Sequence, residues 1–146
     1  GKTILSNRYI PESYQVPESI KIEIHNKIAK IESIEEFNNL KQEFVDRFGP
    51  VNEELSLYMY EKLFYSLCQK CDVENIDIKM KQVSLTLTKE KTQTLNGAYI
   101  YKTAYEMSNN FLLSYHDQKI TIAFKMSGYN NNSWLPLMCN YLTKIA

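Results

Sequence analysis

The sequence predicts an α+β fold, in which an N-terminal three-helix region is followed by two ββα units with antiparallel strands. Up to about residue 71, apolar residues recur at helical spacing in three successive stretches. After residue 75 the repeat shortens from 3.6 residues to two, which is typical of half-buried strands. The order strand, strand, helix then occurs twice, as a repeat of topology and not of residues.

Residues 1–16 are predicted to form an extended arm. Pro11 and Pro17 each push the preceding residue towards β or polyproline geometry. A first helix then runs from Pro17 or Glu18 to about Ile31, and proline is well suited to the first turn of a helix. Its apolar stripe is formed by isoleucines at helical spacing: Ile20, Ile24, Ile28 and Ile31.

A second helix is predicted from Ser33 to Gly49. Ser33 and Glu36 have the spacing of a capping box, in which each side chain accepts a hydrogen bond from an unpaired backbone N–H. Gly49 can close the helix in the left-handed conformation, and Pro50 cannot continue it. The residues expected to face the core are Ile34, Phe37, Leu40, Phe44, Val45 and Phe48.

The opposite face of this helix carries a compact charged cluster, Glu43, Asp46 and Arg47. Glu43 and Arg47 are four residues apart with the acid first, which is the favourable order for a surface ion pair. That pair alone would indicate an ordinary solvated face. Asp46, however, lies in the last turn, where the helix dipole disfavours a negative charge.

The third helix is predicted from Asn52, a good N-cap residue, to about Cys71. Glu53 and Glu54 suit the dipole at its first turn. Its apolar face is broad, which implies burial on more than one side; it comprises Leu55, Tyr58, Met59, Leu63, Phe64, Tyr65 and Leu67.

The second half begins with two alternating segments, 76–80 and 83–87, which predict a tight antiparallel hairpin. In the first segment Ile76, Ile78 and Met80 are expected on the buried face. A helix over 98–110 completes this unit.

A second strand pair, 112–115 and 120–126, surrounds His116, Asp117 and Gln118. A turn-rich loop is predicted over 128–133, with a mobile tip at 130–132, and a closing helix over 134–145.

Composition limits the possible classes of protein. The chain has 146 residues, of which 44% are hydrophobic and 23% charged, values typical of one globular domain, and we place 17–146 in a single domain. It contains neither an 18-residue apolar run nor an apolar segment after Lys2 that resembles a signal peptide. Three cysteines, an odd number, favour a reducing compartment. We therefore expect a cytoplasmic protein without a membrane partner.

Charge is distributed unevenly. Residues 1–75 hold 9 Lys/Arg against 13 Asp/Glu, and residues 76–146 hold 8 against 4. An acidic first half argues against a general nucleic-acid binder. A nucleic-acid-binding module in the basic second half is the alternative, with Tyr99, Tyr101 and Tyr105 stacking on bases beside Lys102. Because Tyr101 and Tyr105 are four residues apart, core packing is the simpler interpretation.

The sequence predicts no catalytic residue, no cofactor and no metal. Gly1-Lys2-Thr3 resembles the end of a phosphate-binding loop but lacks the preceding strand and glycines. Cys68 and Cys71 form a CxxC at a helix C-terminus, where the dipole opposes a thiolate, so they are interpreted as core residues; a metal or redox domain is the remaining alternative. The sequence shows no nucleophile-base motif.

A family resemblance is carried by Asp46-Arg47-Phe48-Gly49, preceded by Glu43, and by Ile10-Pro11-Glu12-Ser13-Tyr14 and Ile28-Ala29 upstream. These segments resemble the C-terminal domain of the bacterial transcription-repair coupling factors (the Mfd family). Two departures are His25-Asn26-Lys27, where the family usually has Tyr-Lys-basic, and Val51, where another proline is frequent.

The resemblance implies a non-catalytic regulatory domain that follows the ATP-dependent DNA translocase domains, with residues 1–16 as the linker. In the family it packs on a damage-recognition-protein-like domain of the same polypeptide. It thereby masks the surface that recruits the excision-repair ATPase until the factor engages RNA polymerase. The family's contact residues fall on Glu43, Asp46 and Arg47, and no direct nucleic-acid contact is implied.

Overall fold

A computed structural model describes residues 16–127 and 133–146. The predicted arm, the Ile10–Tyr14 segment, Gly1-Lys2-Thr3 and most of the predicted loop, including its tip, lie outside the described residues. The described chain forms two compact units, 16–66 and 67–146, which divide within the third helix. The assignment of 17–146 to a single domain stays a prediction.

The first unit consists of helices α1 (Glu18–Ile28), α2 (Ile34–Phe48) and the larger part of α3 (Glu53–Lys70). The start signals of α2 and α3 operate as predicted, since Ser33 Oγ accepts from Glu36 N at 3.1 Å and Asn52 Oδ1 accepts from Leu55 N at 2.9 Å. The reciprocal bond of the capping box goes one residue earlier than expected, from Glu32 N to Glu36 Oε1. Gly49 closes α2 with a φ of 87°.

Helical periodicity identified the core of this unit correctly. The fully buried side chains are Ile24, Ile28, Ile31, Phe37, Phe44, Leu55, Met59, Leu63 and Phe64. The first helix ends at Ile28 and not at Ile31, because Ala29 and Lys30 form a turn; Ile31 is nevertheless buried. The Ser66 hydroxyl donates to the Ile31 carbonyl at 2.8 Å and so provides this carbonyl with a hydrogen-bond partner after the turn.

The second unit contains β1 (Val73–Ile78), β2 (Gln82–Leu87), α4 (Lys89–Thr94), α5 (Gly97–Met107), β3 (Phe111–His116), β4 (Lys119–Lys125) and α6 (Trp134–Ile145). The strands form one antiparallel sheet in the order β1-β2-β4-β3. The predicted α+β fold of three helices followed by two ββα units is therefore confirmed.

Both hairpins lie where the alternation places them. The β3–β4 turn consists of Asp117 and Gln118, whose φ values of 54° and 65° are those of a tight two-residue turn. In the β1–β2 hairpin, β1 ends at Ile78, so the expectation that Met80 lies on the buried face is wrong; its side chain is 85% exposed in the connecting turn.

The short helix α4 was not predicted. Its sequence, KEKTQT, has no apolar period, and its one buried residue is Thr92. It is held by hydrogen bonds instead: Thr88 Oγ1 caps Lys91 N, and Thr92 Oγ1 donates to Thr88 O and accepts from Ile120 N at 3.1 Å. The hydrogen bond from Ile120 of β4 thus stabilises a helix whose sequence has no apolar periodicity.

Candidate protein-interaction surface

The charged cluster lies in the last two turns of α2, and its position follows from the helix period. Phe44 is fully buried and Phe48 is half-buried, which directs Glu43, Asp46 and Arg47 to the outer side. The three predicted site residues therefore lie on the outer side of the helix, where Asp46 and Arg47 are exposed and Glu43 is half-buried towards α1. Because α2 ends at Gly49, these residues lie at the C-terminal end of the helix.

Glu43 and Arg47 belong to an ion-pair network that includes two residues of α1, Glu23 and Lys27. Arg47 Nη1 lies 2.5 Å from Glu23 Oε2 and 3.0 Å from Glu43 Oε2, and Arg47 Nη2 lies 3.1 Å from Glu23 Oε1. Lys27 Nζ contacts Glu43 Oε2 and lies 3.3 Å from Glu23 Oε2. Each of the two helices thus contributes one acid and one base. Arg47 binds the Glu23 carboxylate through both of its terminal nitrogens.

The network keeps its members ionised. Hydrogen bonds from Arg47 and then Lys27 lower the pKa of Glu23 to about 2. Hydrogen bonds from Lys27 and Arg47 likewise lower the pKa of Glu43, and the same contacts raise the pKa values of Lys27 and Arg47. At neutral pH the four charges cancel.

Asp46 stands apart from this network. Its carboxylate accepts a hydrogen bond from Gln42 Nε2 at 2.9 Å, and within residues 16–127 and 133–146 none of the ion pairs includes it. The side chain is exposed in the last turn of α2, where the dipole opposes its charge. In this part of the structure the negative charge of Asp46 is therefore balanced by no ion pair.

The Arg47 side chain is also held by an aromatic contact. Its guanidinium carbon lies 4.7 Å from the centroid of the Phe48 ring, which in turn packs against Phe44 at 6.0 Å between centroids. Two acids and one ring therefore fix the orientation of the guanidinium.

Sequence reasoning did not identify Glu23 and Lys27 as part of this surface. Their i,i+4 spacing on α1 was visible and indicates a local pair. Periodicity within single helices cannot show, however, that this pair faces the Glu43–Arg47 pair of α2. That information comes from the packing of α1 against α2.

A shallow groove of about 290 Å³ adjoins the network between α1 and α2. Its rim is charged and its floor includes the buried Ile31 and the half-buried Leu40. The residues lining it are Lys27, Lys30, Ile31, Glu36, Asn39, Leu40 and Glu43. The charged surface is thus continuous with a partly apolar depression of side-chain size.

The CxxC cysteines are buried, as their core interpretation predicts. Cys68, Cys71 and Cys139 are all free thiols, and Cys71 Sγ contacts the Leu142 carbonyl at 3.5 Å. Burial raises the pKa of Cys71 to about 11 and raises those of Cys68 and Cys139 further. Within the described residues, no cluster of three or more His, Cys, Asp or Glu side chains has the arrangement of a metal site.

The interpretation of Tyr101 and Tyr105 as core residues is wrong, since they are 38% and 39% exposed. They lie beside the free edge of β3, where Tyr101 Oη donates to Leu113 O at 3.1 Å and Tyr105 Oη accepts from Leu113 N at 3.2 Å. The two hydroxyls thereby occupy backbone groups that an edge strand leaves unpaired.

Among the residues that the structure describes, no helix is both long and apolar enough to cross a membrane.

Comparisons with known proteins agree on one family. The family model of the TRCF domain matches residues 5–98. A transcription-repair-coupling factor of Staphylococcus haemolyticus is 30% identical over 121 residues, 82% of this chain, and one of Bacillus subtilis is 26% identical over 136 residues, 92% of this chain. The chain spans 10% and 11% of the length of these two relatives.

The crystal structure of a C-terminal domain of transcription-repair coupling factor has the same fold. It superimposes with a TM-score of 0.75 at 23% sequence identity, covering 97% of this chain and 90% of that one.

Proposed function

Because this chain belongs to the transcription-repair-coupling factor family through its TRCF domain, we propose that it is the C-terminal regulatory domain of such a factor. In this role it is a non-catalytic lid in the cytoplasm. It packs on the damage-recognition-protein-like domain of the same polypeptide and masks the surface that recruits the excision-repair ATPase. Engagement of RNA polymerase by the full-length factor releases it.

The observation that carries this proposal is the state of Asp46. Its carboxylate is exposed, contacts an amide and not a cation, and lies where the helix dipole opposes it. Within its own helix this side chain gains only the i,i+4 bond from Gln42, which contributes about 0.2–0.5 kcal/mol and leaves the charge of the carboxylate unbalanced. It is suited to accept charge-assisted hydrogen bonds from an arginine or lysine of another surface.

The charge of the surrounding unit supports a basic partner surface. Residues 16–66 hold 6 Lys/Arg against 10 Asp/Glu, a net charge of −4. A complementary charged interface contributes specificity and speed of association more than affinity. That balance suits a lid that must open, since tethering in one polypeptide supplies a local concentration of about millimolar and makes high intrinsic affinity unnecessary.

Calorimetric titration of this chain into the separately expressed damage-recognition-protein-like domain tests the proposal. We expect weak binding, with a Kd on the order of tens of micromolar, because the tether is absent. Asp46→Lys should abolish it without unfolding the chain. Glu54→Lys, the same charge reversal at an exposed position on α3, is the matched control and should bind like the wild type. Binding that survives Asp46→Lys, or a variant that unfolds, contradicts the proposed surface.

A nucleic-acid-binding module is the second candidate, and the exposure of Tyr99, Tyr101 and Tyr105 beside Lys102 favours it. Residues 67–146 hold 9 Lys/Arg against 6 Asp/Glu. Binding to a short DNA across a salt series separates the two candidates, because a phosphate binder loses affinity steeply as salt rises. The lid function predicts little binding at any salt concentration.

A further inference from the structure

Arg47 has less capacity for a new partner than its exposure suggests. Both of its terminal nitrogens already contact carboxylates, Glu23 through Nη1 and Nη2 and Glu43 through Nη1, and its guanidinium lies over the Phe48 ring. A carboxylate arriving from another domain would have to displace Glu23 from a bidentate pair, the strongest geometry that a guanidinium forms. A cation arriving at Asp46 displaces no ion-paired group.

From this arrangement we infer that Glu23, on α1, is a positioning residue of the interaction surface. It holds the Arg47 guanidinium against α1 and cancels its charge, so that a cationic group of the partner can approach Asp46 and Glu43 without repulsion. Lys27 has the corresponding role towards Glu43, which it contacts directly. The inference rests on the proposed function, and it assigns Arg47 an indirect part in docking.

The direction in which Glu23→Gln changes the binding affinity distinguishes a partner that brings a cation to Asp46 from one that brings a carboxylate to Arg47. In Glu23→Gln, Glu43 alone faces both Arg47 and Lys27, so the network carries a net positive charge beside Asp46. If the partner brings a cation, the substitution weakens binding. If the partner instead brings a carboxylate to Arg47, the substitution removes a competitor and strengthens binding.

The test is a double-mutant cycle on the calorimetric titration into the damage-recognition-protein-like domain. We expect Glu23→Gln to raise Kd by about threefold to tenfold, the range of coupling within one ion-pair network. Glu18→Gln makes the same charge change at an exposed position five residues earlier on α1 and should leave Kd unchanged. In an Arg47→Gln background the effect of Glu23→Gln should disappear, because Glu23 acts through Arg47.

Unchanged or tighter binding of Glu23→Gln overturns the inference, as does an equal loss in the Arg47→Gln background, which would indicate a general effect of charge. If Asp46→Lys also binds like the wild type, the proposed surface itself fails. If Asp46→Lys loses binding while Glu23→Gln does not, the positioning role alone fails.

A readout independent of binding is the titration of the Glu23 carboxyl group, followed by NMR in the free chain. Its pKa of about 2 should rise in Arg47→Gln.

Discussion

The two units of this molecule use their polar side chains differently. In residues 16–66 the main polar contacts join side chain to side chain at the surface: the network of Glu23 with Arg47 and Lys27 with Glu43, and the Gln42–Asp46 bond. In residues 67–146 polar side chains are bonded largely to the backbone. Side chains that satisfy main-chain groups serve the fold, whereas an exposed carboxylate bonded to a side-chain amide, as Asp46 is, can accept a charged group of a partner. The difference directs the search for a binding surface to the first unit.

The largest expected loss of stability follows from a substitution at Thr92. Its hydroxyl donates to Thr88 O and accepts from Ile120 N, so Thr92→Val leaves a buried N–H unpaired in nearly the same volume. We expect the free energy of unfolding to fall by about 1–3 kcal/mol, the usual cost of an unsatisfied buried group. Chemical denaturation measures it.

Thr94→Val is the control for this loss, because the Thr94 hydroxyl is exposed and bonds within α4 alone. Equal stability of Thr92→Val and the wild type would contradict a structural role for the polar groups of this unit.

Tyr101 and Tyr105, whose hydroxyls bond to the edge strand β3, should contribute less to stability and should also limit self-association. Tyr101→Phe with Tyr105→Phe removes both hydroxyls from Leu113. We expect a loss of about 1–2 kcal/mol from two partly exposed hydrogen bonds. Because an open edge strand pairs with other chains, self-association should also rise in light scattering.

Tyr99→Phe is the matched control, since the Tyr99 hydroxyl reaches Lys144 O at 3.4 Å and not the strand edge. If the double variant stays monomeric and as stable as this control, the tyrosines do not protect the edge.

The smallest expected effect is the pH dependence of the first unit. The pKa of Glu23 is lowered to about 2 from an ordinary 4.5, so its contribution is fully present above about pH 4.5 and is lost as pH falls towards 2. Because the network is at the surface, we expect a small decrease in stability over this range. Comparing acid denaturation of the wild type and Arg47→Gln isolates it; identical profiles would show that the network is not formed in solution.

The sequence predicted the first unit more completely than the second, for physical reasons. The helices α2 and α3 have capping residues, so Ser33, Gly49 and Asn52 indicated where they begin or end, and the isoleucine and phenylalanine stripes indicated the core. It also placed Glu43, Asp46 and Arg47 on the outer side of α2, where Asp46 and Arg47 are exposed and Glu43 is half-buried. It could not reveal Glu23, because contacts between two helices depend on packing that no local period encodes.

In the second unit, alternation predicted the strands and hairpins but not α4, which Thr92 and Ile120 hold through hydrogen bonds. The same limit explains the error on Tyr101 and Tyr105. Their spacing indicates a common face of α5, but it cannot show that their hydroxyls bond to Leu113 of β3, the next element of the chain. Met80 was misplaced because a two-residue alternation does not show where a strand ends.

Masking of the surface that recruits the excision-repair ATPase can be measured in a full-length transcription-repair coupling factor that carries this chain as its C-terminal domain. The measurement is capture of the purified ATPase by the factor without RNA polymerase, comparing the wild type, Asp46→Lys and the Glu54→Lys control. We expect Asp46→Lys to capture the ATPase while the other two do not, because reversing this charge opens the lid. Equal capture by all three proteins, or by none of them, would contradict it.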